Sequence, residues 1–378
     1  MTTPSPSVMS GAKIAMRQLA DRDTPFIHNE WYVAAFSNEV SRSLLQRKLL
    51  GRTLVLFRTE AGLPVALDNR CPHRSFPLSA GRLEGDTLVC GYHGFRYDAQ
   101  GTLIEAPSVA KCPRNVGVRD FPLVERGAVI WIWMGDRALA SEDKLPQLPW
   151  MESPDWAGGQ GYYALKSSYV SLHENLLDTS HLSFMHENTI GSPDYVRAPT
   201  TTEINPGRYA LIRTVEPTRL PPVWGKPTGL ENNPDAGRIV RNEFLSPAVY
   251  EVTTRLYDGS LPAGQRPEFQ IKVAHFPTPE SATSTHYFIY LGRDFAQQSD
   301  EASAFMATHF FKAFDEDVVG LAMVEEVTAD TPPEEYFEVS IASDALGIAM
   351  RRYLKERADS EQAPQTPAII ARETAGQL

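Results

Sequence analysis

The sequence predicts an α+β fold, with a small all-β domain followed by an antiparallel sheet covered by helices. Three observations carry this. From about Asn29 to Gly135, short β-branched and aromatic runs are cut by Gly, Pro, Asp and Asn, as in TLVLFRT (53–59), LPVAL (63–67), TLVCGYHGFRYD (87–98) and AVIWIWMG (128–135). That is the pattern of a small all-β unit. Residues 136–161 are rich in Pro, Asp, Ser and Gly and read as a linker. Beyond them come longer strand-like runs, ALIRTV (210–215), AVYEVTTRLY (248–257), FQIKVAHF (269–276) and HYFIYLG (286–292), and then two helical stretches at about 298–327 and 339–357. Strands gathered ahead of helices fit a sheet backed by helices.

Composition narrows the class. A chain of 378 residues, 42% hydrophobic, can bury a sizeable core in two domains. Lys plus Arg is 36 and Asp plus Glu is 47, a net charge of −11, which argues against nucleic acid or an anionic membrane as partner. With three Cys, two of them in a metal motif, no disulfide framework exists, and a reducing cytoplasm fits. The third, Cys112, reads as a small packed residue. No run approaches the ~20 apolar residues that span a bilayer. The first twenty residues carry polar side chains where a signal peptide needs apolar ones, and read as a tail leading into one short helix. The chain after Arg357 reads as a frayed tail.

The first chemical motif is CPHRSFPLSAGRLEGDTLVCGYHGFRYD, residues 71–98. Cys71 and His73 are two apart, sixteen residues follow, and Cys90 and His93 are three apart, so two Cys and two His approach one place from two short loops. A tetrahedral zinc site accepts that set. A Rieske 2Fe-2S cluster uses it differently, with two Cys on one iron and two His on the other. The surroundings favour the cluster: Pro72 and Pro77 at the first loop, and Gly91-Tyr92 and Gly94-Phe95 at the second, can shield a cluster and present main-chain N–H groups to its sulfurs.

The second is YVSLHENLLDTSHLSFMH, residues 169–186. Leu172, Leu176 and Leu177 share a helix face, and Asp178 and His181, at i and i+3, bring their side chains together. His186 lies five further on. In an unbroken helix it would swing about 140° from His181, so both rings reach one ion only if the helix ends or bulges between Leu182 and Met185. His173 and Glu174 read as helix surface or as support for the ligands. Two His and one carboxylate form the facial triad of non-haem Fe(II) oxygenases, which leaves coordination positions open for O2.

The carboxylate must come from elsewhere, and the late helix FMATHFFKAFDEDVVGLAMVEE offers Asp315, Glu316 and Asp317. On a helical wheel Met306, Phe310, Ala313, Phe314, Leu321 and Val324 fall within about 60° of Asp317, whereas Asp315 lies on the far side with Lys312 and Glu326. A lone carboxylate in the middle of an apolar face costs several kcal/mol unless paired or metal-bound. Asp315 has the ordinary explanation of a solvated charge, so Asp317 is the expected third ligand.

Residues 71–98 resemble the Rieske motif of the aromatic-ring oxygenases, departing at Ser75, Gly91 and Phe95, where that family more often has Gly, Pro and Trp; none of the three is a ligand. Asn175-x-x-Asp178-x-x-His181-x4-His186 resembles the same family's mononuclear-iron motif, and Asp317 matches its third ligand. The resemblance runs from about Trp31 to Tyr353. The runs NEWYVAAF, DNRCPHR and HFPTPESATSTHYF are most similar to the vanillate O-demethylase group.

The resemblance implies that residues 1–26 are an N-terminal tail and short helix, 27–150 the Rieske 2Fe-2S domain, 151–360 a helix-grip-like catalytic domain with mononuclear iron, and 361–378 a C-terminal tail. It further implies that Cys71, His73, Cys90 and His93 hold the cluster and that His181, His186 and Asp317 hold Fe(II). On the same basis Asp178 carries electrons between the centres, linking His181 to His93 of the partner subunit in a head-to-tail homotrimer; its other reading is support for His181 within the chain. His275, in HFPTPE, aligns with a contact to substrate carboxylate and has the alternative of an ordinary hydrogen-bonded strand His, while His286 is structural. Such a terminal oxygenase takes electrons from NAD(P)H through a separate reductase, with or without a ferredoxin. It uses O2 to oxidise an aromatic acid or aryl methyl ether, an ether releasing formaldehyde. Ring mono- or dioxygenation keeps the same machinery, whereas a Rieske electron carrier or a zinc-stapled module would have no use for the second motif.

Overall fold

A computed structural model of the protein describes residues 6–362. After helix α1 (Pro6–Met16) come ten strands: β1 (Trp31–Phe36), β2 (Leu45–Leu49), β3 (Arg52–Arg58), β4 (Pro64–Asp68), β5 (Arg82–Glu84), β6 (Thr87–Val89), β7 (Arg96–Tyr97), β8 (Leu103–Glu105), β9 (Leu123–Arg126) and β10 (Val129–Trp133). They form three small antiparallel sheets, ordered β1-β10-β9, β2-β3-β4 and β5-β6-β7-β8. The second half holds β11 (Ala157–Leu165), α2 (Tyr169–Leu177), β12 (Thr200–Asn205), β13 (Arg208–Val215), α3 (Pro222–Thr228), β14 (Ala236–Ser246), β15 (Val249–Asp258), β16 (Glu268–Ser281), β17 (Ser284–Arg293), α4 (Asp300–Asp330) and α5 (Ala345–Gln362). Its strands make one seven-stranded antiparallel sheet, β11-β17-β16-β15-β14-β13-β12. The α+β class read from the sequence is therefore the class of the fold.

Two of the cores among the described residues bear on the site, and both follow from the alternation of side chains along these strands. One lies between the large sheet and α2, α3 and α4, with Leu172, Trp224, Ile271, Tyr287, Phe310 and Phe314 buried together; truncating one such Phe to Ala typically costs about 3–5 kcal/mol. The other joins the two halves of the chain. Trp131 meets Phe276 edge-on with ring centroids 5.5 Å apart, and Phe36 meets Phe288 at 5.4 Å. Hydrogen bonds close the same seam: Leu50 N–H to Pro279 O (2.7 Å), Thr278 Oγ1 to Val33 O (2.8 Å) and His286 Nε2 with Lys48 O (2.9 Å). His286 thus fastens the β16–β17 hairpin to the first domain, the structural role expected of it.

The structure corrects the sequence reading in four places. The stretch read as a linker to residue 161 already contains β11 from Ala157. Two of its three glycines are there because of what lies on them: a Cβ at Gly161 would sit 2.0 Å from the Phe311 ring of α4, and one at Gly158 2.3 Å from the Tyr290 hydroxyl. The chain past Arg357 stays helical to Gln362, and the Glu361 carboxylate accepts the main-chain N–H groups of His28 (2.7 Å) and Asn29 (3.0 Å); the rest of the expected tail, 363–378, lies outside the described residues. His173 is buried rather than on a helix surface, with Nε2 against Pro247 O at 3.0 Å. Val324 is exposed, because the buried face of α4 ends at Leu321, and a wheel gives the angle of a residue but not where the neighbouring element stops. Among the described residues no helix is long and apolar enough to cross a membrane.

Candidate metal centres and substrate cavity

The loops carrying the first motif share one backbone plan. Cys71 N–H donates to Phe76 O and Ser75 N–H to Cys71 O; Cys90 N–H donates to Phe95 O and Gly94 N–H to Cys90 O. In both, the fourth residue after the Cys takes a positive φ, 55° at Ser75 and 72° at Gly94. That left-handed conformation is open to Gly at no steric cost and strained for Ser, the physical reason a Gly is commoner at that place. The thiols of Cys71 and Cys90 are buried and within hydrogen-bonding reach of each other, and Tyr97 OH lies 3.2 Å from Cys71 Sγ. The His73 and His93 rings sit outside them, exposed, with centroids 4.5 Å apart and His73 stacked on Phe95 at 4.6 Å.

Two thiols inside and two imidazoles outside fit a two-iron cluster better than one ion. Among the described residues, the only group of three or more His, Cys, Asp or Glu side chains whose ligating atoms close to within 4.8 Å is a different one: His181, His186 and Asp317. The four residues of the first motif therefore do not converge as a tetrahedral zinc ion would require.

That second group depends on a broken helix. Ser168 caps α2 by accepting Ser171 N–H (3.1 Å), and the helix stops at Leu177 because Asp178 turns extended, with φ −86° and ψ 102°. The Asp178 carboxylate accepts Ser180 N–H at 2.8 Å, which starts a 3-10 turn over Ser180–Ser183. The His181 carbonyl then receives the N–H groups of both Phe184 (2.9 Å) and Met185 (2.8 Å). The break required between Leu182 and Met185 is present, and an earlier one at Asp178 precedes it. The expected i, i+3 contact is not made as a side-chain hydrogen bond among the described residues: the Asp178 carboxylate accepts Ser180 N–H instead and acts on the His181 ring through its charge.

With the chain so bent, His186 Nε2 lies 3.2 Å and His181 Nε2 3.6 Å from Asp317 Oδ1. Adjacent ligands at about 2.1 Å from a first-row metal ion are themselves about 3 Å apart, so the donor set fits an ion. Asp317 is buried and makes no ion pair with Lys or Arg among the described residues, and Asn175 Nδ2 donates to its Oδ1 at 3.1 Å. On the outer side of His186, Glu316 Oε2 meets Nδ1 at 2.7 Å and is itself held by Thr189 Oγ1 at 2.8 Å. An acceptor on Nδ1 leaves the Nε2 lone pair for a metal. Burial opposes charge on both rings; it wins at His181, whose pKa is lowered, while at His186 the Asp317 and Glu316 carboxylates outweigh it and raise the pKa. Asp315 points to solvent and accepts from Tyr163 OH at 2.8 Å.

Asp317, His181 and His186 edge a cavity enclosing about 630 Å³ of empty space out to its mouth, between α2, α3, α4 and strands β14 to β16. Its walls include Leu176, Val240, Val273, Phe310 and Phe314, and its polar lining includes His275, Asn242 and Arg238. His275 is buried, with Nδ1 2.6 Å from Tyr287 OH, and burial pushes its pKa down to about 3, so the ring is neutral. Sequence reasoning offered Glu316 as a candidate carboxylate without its contact to His186, and missed Asn242 and Arg238. The signal for the last two is the period-2 series Arg238, Val240, Asn242 in RIVRNEF, masked by the polar residues that alternate with it.

Comparison with known proteins agrees with this geometry. Residues 30–122 match the Rieske [2Fe-2S] domain family and residues 165–360 the vanillate O-demethylase oxygenase C-terminal domain family. The chain is 31% identical over 344 residues to the iron-sulfur subunit of a toluene-4-sulfonate monooxygenase system of Comamonas testosteroni, covering 88% of this chain and 96% of the other. It is 29% identical to a vanillate O-demethylase oxygenase subunit of a Pseudomonas species, covering 92% and 99%. Among solved structures, dicamba monooxygenase bound to 3,6-dichlorosalicylic acid superimposes with a TM-score of 0.85 at 27% identity, over 90% of this chain and 99% of that one.

Proposed function

This chain belongs to the Rieske oxygenases with a vanillate O-demethylase-type catalytic domain and is a terminal oxygenase component, and from that premise we propose that it oxidises an aromatic acid or aryl methyl ether, with O-demethylation as the favoured outcome. The observation that carries this reading is the His181, His186 and Asp317 triad at the edge of a largely apolar cavity. Relatives named for vanillate and dicamba O-demethylation support it.

In this reading Cys71, Cys90, His73 and His93 would hold the 2Fe-2S cluster and His181, His186 and Asp317 the ferrous ion, which together supply electrons and O2 activation beside the substrate. The chain's own residues do the rest. Phe310, Phe314, Val240 and Val273 exclude water and seat an aromatic ring; Asn175 orients Asp317; His275, neutral, offers the substrate a hydrogen bond rather than a charge. For a methoxyarene, one oxygen atom enters the methyl C–H bond, and the product is a hemiacetal. It collapses to phenol and formaldehyde, while two electrons and two protons convert the second oxygen atom to water.

Asp178 is the proposed electron bridge, between His181 of its own chain and His93 of the partner subunit, in a head-to-tail ring of three. Two features support this. Its carboxylate accepts only Ser180 N–H among the described residues, leaving one oxygen for a partner. Exposed Phe184 and Met185 lie just beyond it, while His73, His93 and Tyr92 are exposed on the two ligand loops of the other domain. A heterologous contact between two such unlike surfaces makes a ring of three where each step turns the next subunit by 120°. The electrons are proposed to come from NAD(P)H through a separate reductase.

Incubation with a surrogate reductase, NADH and a panel of methoxybenzoates is expected to release formaldehyde and the matching phenol in equal amounts. Ring-hydroxylated products without formaldehyde would overturn the demethylation reading. Glu316→Gln, which removes the charge behind His186, is expected to weaken iron retention about 10- to 100-fold, read as iron per chain after dialysis against a chelator, with the cluster absorbance unchanged.

A further inference from the structure

We propose that Arg238, with Asn242, forms an anion-binding subsite in the cavity, so that the substrate is an arene bearing a carboxylate or a sulfonate group; this rests on the oxygenase reading. Arg238 stands on β14, in the interior of the seven-stranded sheet, and is 1% exposed. Its guanidinium is held on three sides: the Tyr195 ring at 4.5 Å, the Trp224 ring at 5.6 Å, and Ile190 O, which accepts from Nη1 at 2.9 Å. Nε and Nη2 have no partner, and no carboxylate pairs with this cation among the described residues.

Those two nitrogens form one edge of the guanidinium, the edge whose parallel donors match two oxygens of a planar or tetrahedral oxyanion. Two positions along the same strand face from Val240, Asn242 Nδ2 is also buried without an acceptor, and both residues line the cavity. A buried cation short of a counter-ion is strongly disfavoured, and aromatic faces offset this only in part. An anion entering with the substrate completes the set. His275 cannot supply the charge, because its ring is neutral and already engaged by Tyr287.

The test is calorimetric titration of the anaerobic holoenzyme with methoxybenzoate, methoxybenzenesulfonate and methoxybenzamide, the last being a neutral analogue of the first. One or both anions are expected to bind at least about 10-fold more tightly than the amide, and Arg238→Gln should weaken anion binding about 10- to 100-fold with amide binding unchanged. Arg238→Lys should recover part of the anion affinity, and the stronger anion identifies the head group. Equal binding of anions and amide, no binding of either anion, or equal weakening of all ligands in Arg238→Gln would overturn the subsite. The wild-type comparison decides the matter even if the variant fails to fold. Formaldehyde is measured on the same preparations in separate aerobic turnovers with the surrogate reductase and NADH: anion preference without formaldehyde sinks the demethylation reading alone, and formaldehyde without anion preference sinks the subsite alone.

Discussion

Asp317→Ala is expected to abolish turnover and to leave the protein without mononuclear iron while the 2Fe-2S cluster stays at full occupancy. The two His ligands alone hold a divalent ion weakly, and the third donor supplies the only negative charge within the triad. The loss should therefore exceed the about 10- to 100-fold that removal of an outer partner costs. Asp315→Ala, two residues away, is the control. Asp315 is exposed and gives up only its hydrogen bond from Tyr163 OH, worth about 0.5–1.5 kcal/mol of stability, so iron and activity should both remain. Iron analysis combined with the cluster's absorbance separates the two variants in one preparation. If Asp315→Ala loses the iron and Asp317→Ala retains it, the ligand assignment is wrong.

The folded state of Asp317→Ala provides a second readout. A carboxylate buried among Met306, Phe310, Ala313, Phe314 and Leu321 is a liability to the apo protein. Its replacement by Ala removes that liability but also the bonds from Asn175 and His186 Nε2, two opposed terms of similar size. Thermal stability without metal should change by no more than about 1–3 kcal/mol, which distinguishes loss of a ligand from loss of the fold.

Why Asp317 was legible in the sequence, while Arg238 and the role of Glu316 were not, is a matter of what surrounds each. Asp317 stands out because one charge interrupts an otherwise apolar helical face, and period 3.6 makes such an anomaly visible from composition alone. Arg238 and Asn242 also interrupt a buried face, but β14 reads AGRIVRNEFLS, with polar residues on both sides of the strand, so no alternation announces it. The feature that defines the cavity chemically thus concealed the strand that carries it. The role of Glu316 was invisible for another reason: it comes from a contact with His186, 130 residues away, and a helical wheel reports only its own helix. The glycine-rich β11 failed similarly, because two of its glycines answer to Phe311 and Tyr290 pressing on it and not to a local turn. The two metal motifs, by contrast, depend on local spacing, and their loops close within a few residues of each ligand.

Asp178→Asn is expected to leave both metal centres loaded and the cluster reducible, yet to stop nearly all single-turnover oxidation of the cluster by O2 and substrate. The substitution keeps the size and one acceptor oxygen, and the Ser180 N–H bond that ends the helix can persist. If Asp178 only supported His181, the change would cost about 10- to 100-fold in iron affinity or activity, with electron transfer intact where iron is bound. A bridge between subunits predicts the opposite pairing, iron retained and transfer lost. Mixing subunits isolates the route. Chains without the cluster, Cys90→Ala, and chains without the mononuclear site, His181→Ala, are each inactive. In a head-to-tail ring assembled from equal amounts of both, a given interface places an intact cluster against an intact iron site with a chance of one in four. Co-expressed trimers should therefore recover roughly a quarter of wild-type activity. Mixed assemblies confirmed by mass that show no activity would exclude the inter-subunit route, because a path inside one chain needs both centres on that chain.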